Sequence, residues 1–233
     1  MKIKIQRETL VEYEIINQDS TLLEVLNNIK TTQDNTLSFS SGCRSSVCGS
    51  CAVRVNGREV LACSYHAKDG DIVEPLRNSE VLRDLVVNMD KALEFNAKAK
   101  AYQSSICRDI ELTQENEKIN EVQSDCILCL SCYSACPVYT VNEEFLGPFS
   151  LTRVWRYVSD KRENNEKEKI DTIQTNGVWD CTLCNVCTVV CPQDISSKAD
   201  IEKLRARSSI AGYIDPSFSS FGGGFGFDGS PSF

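Results

Sequence analysis

Thirteen of the 233 residues are cysteines, and twelve of them fall into three runs whose spacing suits metal chemistry. The first run is Cys43-x4-Cys48-x2-Cys51, joined by Cys63 after eleven further residues. The second is Cys126-x2-Cys129-x2-Cys132-x3-Cys136, followed by Pro137. The third repeats it as Cys181-x2-Cys184-x2-Cys187-x3-Cys191, followed by Pro192. Clustered cysteines pair as disulfides in oxidising compartments and bind metals in reducing ones. The opening Met1-Lys2-Ile3-Lys4-Ile5 alternates without entering the apolar run of a signal peptide, which favours ligation. A single histidine, His66, excludes a two-histidine Rieske centre.

The Cys43, Cys48, Cys51 and Cys63 set has the plant-type spacing for a [2Fe–2S] cluster. Three thiolates from one loop can wrap a small rhomb only if the backbone turns sharply. Gly42, Gly49 and the small Ser45, Ser46 and Ser50 permit that. Amide N–H groups of such a loop can also point at the sulfurs and hold their negative charge. Zinc is the alternative, but zinc ribbons use paired C-x2-C knuckles and only one is present here.

The other two runs have the bacterial-ferredoxin rhythm, in which the fourth cysteine of each run serves the other cluster. Three closely spaced cysteines wrap one corner of a cubane, while the x3 spacing and the proline carry the chain away. This predicts one [4Fe–4S] cluster on Cys126, Cys129, Cys132 and Cys191, and a second on Cys136, Cys181, Cys184 and Cys187. If Cys184 is not a ligand, the second becomes [3Fe–4S]. Two zinc sites on the same eight residues are the alternative. Cys107 matches no motif and reads as a buried structural thiol. His66 reads as a loop residue placed to tune the nearby Cys63 site. No carboxylate pair forms an acid/base set and no glycine-rich phosphate loop is present, so no substrate site or catalytic residue is expected. Three one-electron centres suit the passage of electrons between distant partners.

The elements that must position these residues are legible in outline, and the fold class is α+β. Strands are predicted at Lys2 to Gln6 and Leu10 to Ile16. A helix follows to about Lys30, capped by Ser20 or Thr21, with Glu24 placed for a capping box. After the cysteine loop, Ala52 to Val55 and Glu59 to Cys63 flank Asn56-Gly57, a hairpin signal, and a last strand spans Asp71 to Glu74. That order is the order of a β-grasp domain. From Val81 to Tyr102 the pattern turns helical, with Leu82, Leu85, Val86, Met89 and Leu93 on one stripe. Another helical face, Leu151, Val154, Trp155 and Val158, separates the two later cysteine runs, and the charged stretch from Asp160 to Lys169 reads as solvated. The expected units are a β-grasp [2Fe–2S] domain over residues 1–100 and an α-helical two-cluster domain over 101–216. A Gly/Ser/Phe-rich tail over 217–233 is either disordered or ordered by docking.

Net charge of −8 and a pI near 4.9 argue against a general nucleic-acid binder, while 41% hydrophobic residues suffice for a packed core. No stretch of about 18 apolar residues is present, so the chain itself is not expected to span a membrane.

This organisation resembles the iron–sulfur subunits of succinate dehydrogenases and fumarate reductases over roughly residues 1 to 205. The likeness lies in Thr36-Leu37-Ser38-Phe39, in Cys43-Arg44 through Cys48-Gly49-Ser50-Cys51, in Leu61-Ala62-Cys63, and in Glu74-Pro75-Leu76 with Val81 to Leu85 after it. The resemblance implies an electron-transfer subunit of an oxidoreductase that links an FAD-containing flavoprotein to a quinone site in a membrane anchor, or to another acceptor. The [2Fe–2S] cluster would lie nearest the flavin and the Cys181–Cys187 cluster nearest the acceptor. Association with the membrane would come through partner subunits, at the cytoplasmic face.

Two departures qualify that picture. Usual members carry an apolar residue at the place of Cys184 and hold [3Fe–4S] there. Usual members also place a tryptophan and a histidine near quinone, where this chain has Val138-Tyr139-Thr140-Val141 and Thr182. The intact third run is similar to the non-standard branch, which includes thiol-dependent fumarate reductases and enzymes with a cysteine-rich, heterodisulfide-reductase-like partner. Such a partner is expected in trans, because the chain ends about forty residues after Cys191. A subunit for thiol or heterodisulfide chemistry and a stand-alone polyferredoxin are the alternatives.

Overall fold

Alternation at the N-terminus builds the first pair of strands in the computed structural model, which describes residues 1–15, 19–104 and 109–219. In β1 (Lys2–Gln6) the lysines face water while Ile3 and Ile5 are fully buried, each worth about 1.5–3 kcal/mol relative to exposure. β2 (Leu10–Glu14) pairs with it antiparallel, Ile3 opposite Tyr13. Helix α1 (Leu22–Thr32) opens on the predicted capping box: Thr21 Oγ1 accepts the Glu24 amide and Glu24 accepts the Thr21 amide. Its face of Leu22, Val25, Leu26 and Ile29 is buried.

The hairpin of β3 (Ala52–Val55) and β4 (Arg58–Leu61) turns at Asn56 and Gly57, both at positive φ. β5 (Ile72–Glu74) lies parallel to β1 and antiparallel to β3, giving the sheet order β2-β1-β5-β3-β4. The cysteine loop spans the gap between α1 and β3.

The stripe from Val81 onward is not a helix from end to end. β6 (Val81–Arg83) and β7 (Val86–Val87) form a small hairpin, and α2 covers only Asp90–Lys98. Asp84 makes the turn at φ +50°, and its carboxylate takes the Arg7 guanidinium at 2.8 Å and the Ser38 amide at 2.8 Å. Leu82, Met89 and Leu93 are exposed, whereas Ala92 and Phe95 are buried. A distant arginine therefore overrides a local apolar period.

The second half is helical: α3 (Gln114–Lys118), α4 (Glu121–Ser124), α5 (Ser131–Ala135), a 3-10 turn (Pro137–Thr140), α6 (Gly147–Val158), α7 (Glu166–Thr172), α8 (Val186–Val189), α9 (Ser197–Ile210) and α10 (Pro216–Ser219). The predicted α6 face of Leu151, Val154, Trp155 and Val158 is buried, and Ile201 and Leu204 of α9 join the same core. The charged stretch after it is not wholly solvated. Lys169 and Glu163 are buried together 3.4 Å apart, and Lys169 donates to the Lys100 carbonyl at 3.0 Å and to that of Tyr102. A buried ammonium without such partners would be costly, so this pair pins the chain that leads into the helical half.

The two halves are locked around α5. Ser134 Oγ donates to Glu59 at 2.8 Å, Asn78 Nδ2 donates to the Tyr133 carbonyl at 2.9 Å, and Phe95 stacks over Tyr139.

Candidate functional site

The loop between Gly42 and Cys51 is a cradle of amides aimed at sulfur. Cys43 Sγ accepts from the amides of Ser45, Val47 and Cys48, each at 3.3 Å. The Cys43 amide donates to Cys48 Sγ at 3.3 Å, and the Ser46 amide donates to Cys63 Sγ at 3.2 Å. The last bond brings the fourth cysteine from beyond β4 to the loop. The Cys51 carbonyl holds it there by accepting the Ala62 amide at 3.0 Å. Positive φ at Arg44, Ser46 and Gly49 turns successive amides inward, a nest for negative charge. Gly42 leaves room for that wrap, because a Cβ there would lie 2.9 Å from Cys48 Sγ.

The Ser50 hydroxyl, with the Cys43 amide, draws the Cys48 thiol down to about 6, whereas burial lifts Cys51 to about 11. A buried thiol that must ionise to bind metal releases its proton on loading. The four residues thus fit a compact anionic cluster, half open to solvent at Cys43 and Cys48.

The two later runs follow one backbone path. Leu128 and Leu183 stand at φ +58° and +53°, and Leu130 and Asn185 at φ +62° and +69°. In each run the second left-handed residue starts a short helix, α5 or α8, that presents the third cysteine. The left-handed turns bend the chain round a centre, and each costs a leucine about 1–2 kcal/mol.

Two cavities result. One is lined by Cys126, Cys129, Cys132 and Cys191 with Ile127, Phe149 and Ile195 as apolar wall. The other is lined by Cys136, Cys181, Cys184 and Cys187 with Pro148 and Lys198. The fourth cysteine of each run stands at the other run's cavity. Burial pushes Cys132 well above its ordinary value, Cys136 to about 12 and Cys187 to about 11. Thiols held this way beside apolar walls suit a cofactor that takes their charge. Among the described residues no three His, Cys, Asp or Glu side chains converge on a single-ion site. The eight cysteines line the two cavities instead.

His66 is exposed and pairs through its backbone with Thr21, as a loop residue does. Cys107 and residues 220–233 of the tail lie outside the described residues. Sequence reasoning assigned Gly49 a part only in the turn of its loop; its contact with the second half, the reach of Gln193 to that loop and the buried acid Asp200 were missed. None of the three contacts has a local signal.

Residues 2–94 match the model of the 2Fe-2S iron-sulfur cluster binding domain, and residues 122–195 that of the 4Fe-4S dicluster domain. The 8-methylmenaquinol:fumarate reductase iron-sulfur subunit of Wolinella succinogenes is 37% identical over 207 residues, covering 82% of this chain and 65% of that protein. The fumarate reductase iron-sulfur subunit of Escherichia coli is 36% identical over 200 residues, covering 82% of each chain. This chain belongs to the succinate dehydrogenase/fumarate reductase iron–sulfur subunit family. Among solved structures, a chain of the Mycobacterium smegmatis Sdh1 complex in the apo form shares the fold, with a TM-score of 0.82 and 24% identity, covering 92% of this chain and 98% of that one. As a family member the chain carries a [2Fe–2S] domain and a dicluster domain for two [4Fe–4S] clusters, and its role is electron transfer within an oxidoreductase complex of several subunits.

Proposed function

We propose that this chain relays single electrons between a flavin-bearing subunit that interconverts succinate and fumarate and an acceptor subunit. The observation that carries the reading is the exchange of fourth cysteines between the two cavities, which sets two cofactors side by side in one helical body. Cys43, Cys48, Cys51 and Cys63 hold [2Fe–2S]. Cys126, Cys129, Cys132 and Cys191 hold one [4Fe–4S], and Cys136, Cys181, Cys184 and Cys187 the other. When bound, the clusters supply reversible one-electron oxidation and reduction. The chain's part is to fix the thiolates, aim amides at them and cover the first cavity from water.

Among the described residues no helix is long and apolar enough to cross a membrane. The proposal puts attachment on partner subunits, at the cytoplasmic face. The flavoprotein docks by the exposed Cys43 and Cys48 flank. The acceptor docks by the exposed Cys184. That fourth thiol in the third run favours a second reading of the acceptor, a cysteine-rich subunit that exchanges electrons with thiols rather than quinone.

Purification of the native complex tests both. Iron, sulfide and subunit analysis should give the three clusters, a flavoprotein and succinate- or fumarate-dependent turnover. Zinc without visible absorption would end the redox reading. Thiol-dependent fumarate reduction would select the second acceptor, and quinone-dependent turnover the first.

A further inference from the structure

Along the N-terminal cysteine loop, residues 41–50 are exposed except at two places: Gly49 is buried and Ser46 is half-buried. Those two residues are where the second half touches the loop. Gly49 stands at φ +71°, and a Cβ placed on it would lie 2.7 Å from Cys129 Cβ, 2.8 Å from the Ile127 carbonyl oxygen and 3.0 Å from Cys129 Cα. Two of these atoms are backbone in the segment bent by the left-handed Leu128, so no flexible side-chain end can swing aside. On the other flank, Gln193 Nε2 donates to the Ser46 carbonyl at 3.4 Å. Both Cys129 and Gln193 line the first cavity. The wall of that cavity therefore grips the loop from two directions.

We propose that Gly49 is the positioning residue that sets how closely the N-terminal cysteine loop approaches the first [4Fe–4S] cavity, with Gln193 as its strap. Electron exchange between the two centres is then governed by a missing side chain rather than by a bond. This rests on the cluster assignments above. The turn alone does not require glycine, because asparagine tolerates positive φ. The contact does, since any Cβ meets backbone closer than atoms pack. A side chain at 49 makes the loop retreat by a good part of an ångström, and tunnelling falls steeply with separation.

The test uses the full-length, cluster-loaded chain with Gly49→Asn, Gly49→Ala and Gln193→Ala. Cluster content and the potentials of all three centres are measured. Two further readouts are the relaxation enhancement of the reduced [2Fe–2S] EPR signal by its neighbour and the rate of internal electron transfer after pulsed reduction. Gly49→Asn is expected to keep its clusters and potentials but lose several-fold in both enhancement and rate. Gln193→Ala should shift both in the same direction by less. Full enhancement and rate in a loaded Gly49→Asn chain would overturn the proposal. Should neither Gly49 variant load its N-terminal cluster, Gln193→Ala decides, and unchanged coupling there overturns it equally. A wild-type chain without the clusters overturns both readings, whereas a loaded chain whose coupling ignores residue 49 overturns this one alone.

Discussion

Cys129 and Cys184 are the middle cysteines of two runs with the same backbone turns, and their surroundings differ. Cys129 lies under Gly49, its thiol pushed up by burial, with its Sγ donating to Ser131 Oγ at 3.3 Å. Cys184 is exposed, and beyond it Val186 and Val189 are 39% and 62% exposed. The next residues differ in the same sense. Leu130 is buried and forced into its left-handed turn, while Asn185 takes the same turn in solvent, where its short polar side chain tolerates it. The ligand turn is thus a local property of the run, and cover is a tertiary one. This chain covers its first cavity with its own N-terminal half and leaves the middle cysteine of its second bare.

The largest effect that could break this comparison is loss of a middle cysteine. Cys129→Ala is expected to empty the first cavity and loosen the seat of Gly49 as well. The chain then loses the folding free energy that metal binding contributes, several kcal/mol. Cys184→Ala should leave a three-iron core on Cys136, Cys181 and Cys187, change the EPR spectrum and cost little stability. Iron and sulfide content with thermal unfolding of both variants checks this. Equal destabilisation would mean that the two sites are covered alike.

The walls of the cavities sharpen the contrast. Helix α9 lays Ser197 against the first cavity and Lys198 against the second. Lys198 pairs outward with Glu202 at 3.2 Å. Below the first cavity α9 buries Asp200, which accepts Gln123 Nε2 at 2.8 Å and has Lys203 Nζ at 3.7 Å. Thr152 of α6 both lines that cavity and faces this acid. Burial lifts Asp200 to about 6 against the pull of Lys203. The native state therefore keeps a proton that the unfolded chain has lost above about pH 4, so stability falls as pH rises through about 6. Asp200→Asn keeps the Gln123 bond and removes that charge. It is expected to stabilise the chain by ~2–3 kcal/mol at neutral pH, with the gain fading below about pH 6 and gone near pH 4. Urea denaturation at several pH values reads this directly, and a gain independent of pH would assign the effect to packing instead.

How much of this was legible in the sequence follows from the range of the interactions. The gathering of the two later cysteine runs was legible because x2-x2-x3 spacing and a following proline constrain the chain within a few residues. The Asn56-Gly57 hairpin and the Thr21–Glu24 cap were legible for the same reason. The helix expected from Val81 failed at Asp84, whose partner Arg7 lies 77 residues away. Lys169 gave no sign of burial, since its acceptors are the carbonyls of Lys100 and Tyr102. Gly49 looked like one turn glycine among several. Its contact with Cys129 exists only once both halves have folded.

The smallest effect tests whether the two runs differ in strain or only in cover. Leu128 and Leu183 share the left-handed turn, so a glycine at either relieves a similar backbone cost of about 1–2 kcal/mol and gives back about 0.5–1 kcal/mol of chain entropy. The side chains are not equivalent. Leu128 is 37% exposed, whereas Leu183 packs against the edge of the core. Leu128→Gly is therefore expected to gain up to ~1 kcal/mol, and Leu183→Gly to gain nothing or lose a similar amount through lost burial. Denaturant midpoints of the two variants decide it. Equal gains would show that the second run draws no support from packing, so that its turn is held by ligation alone.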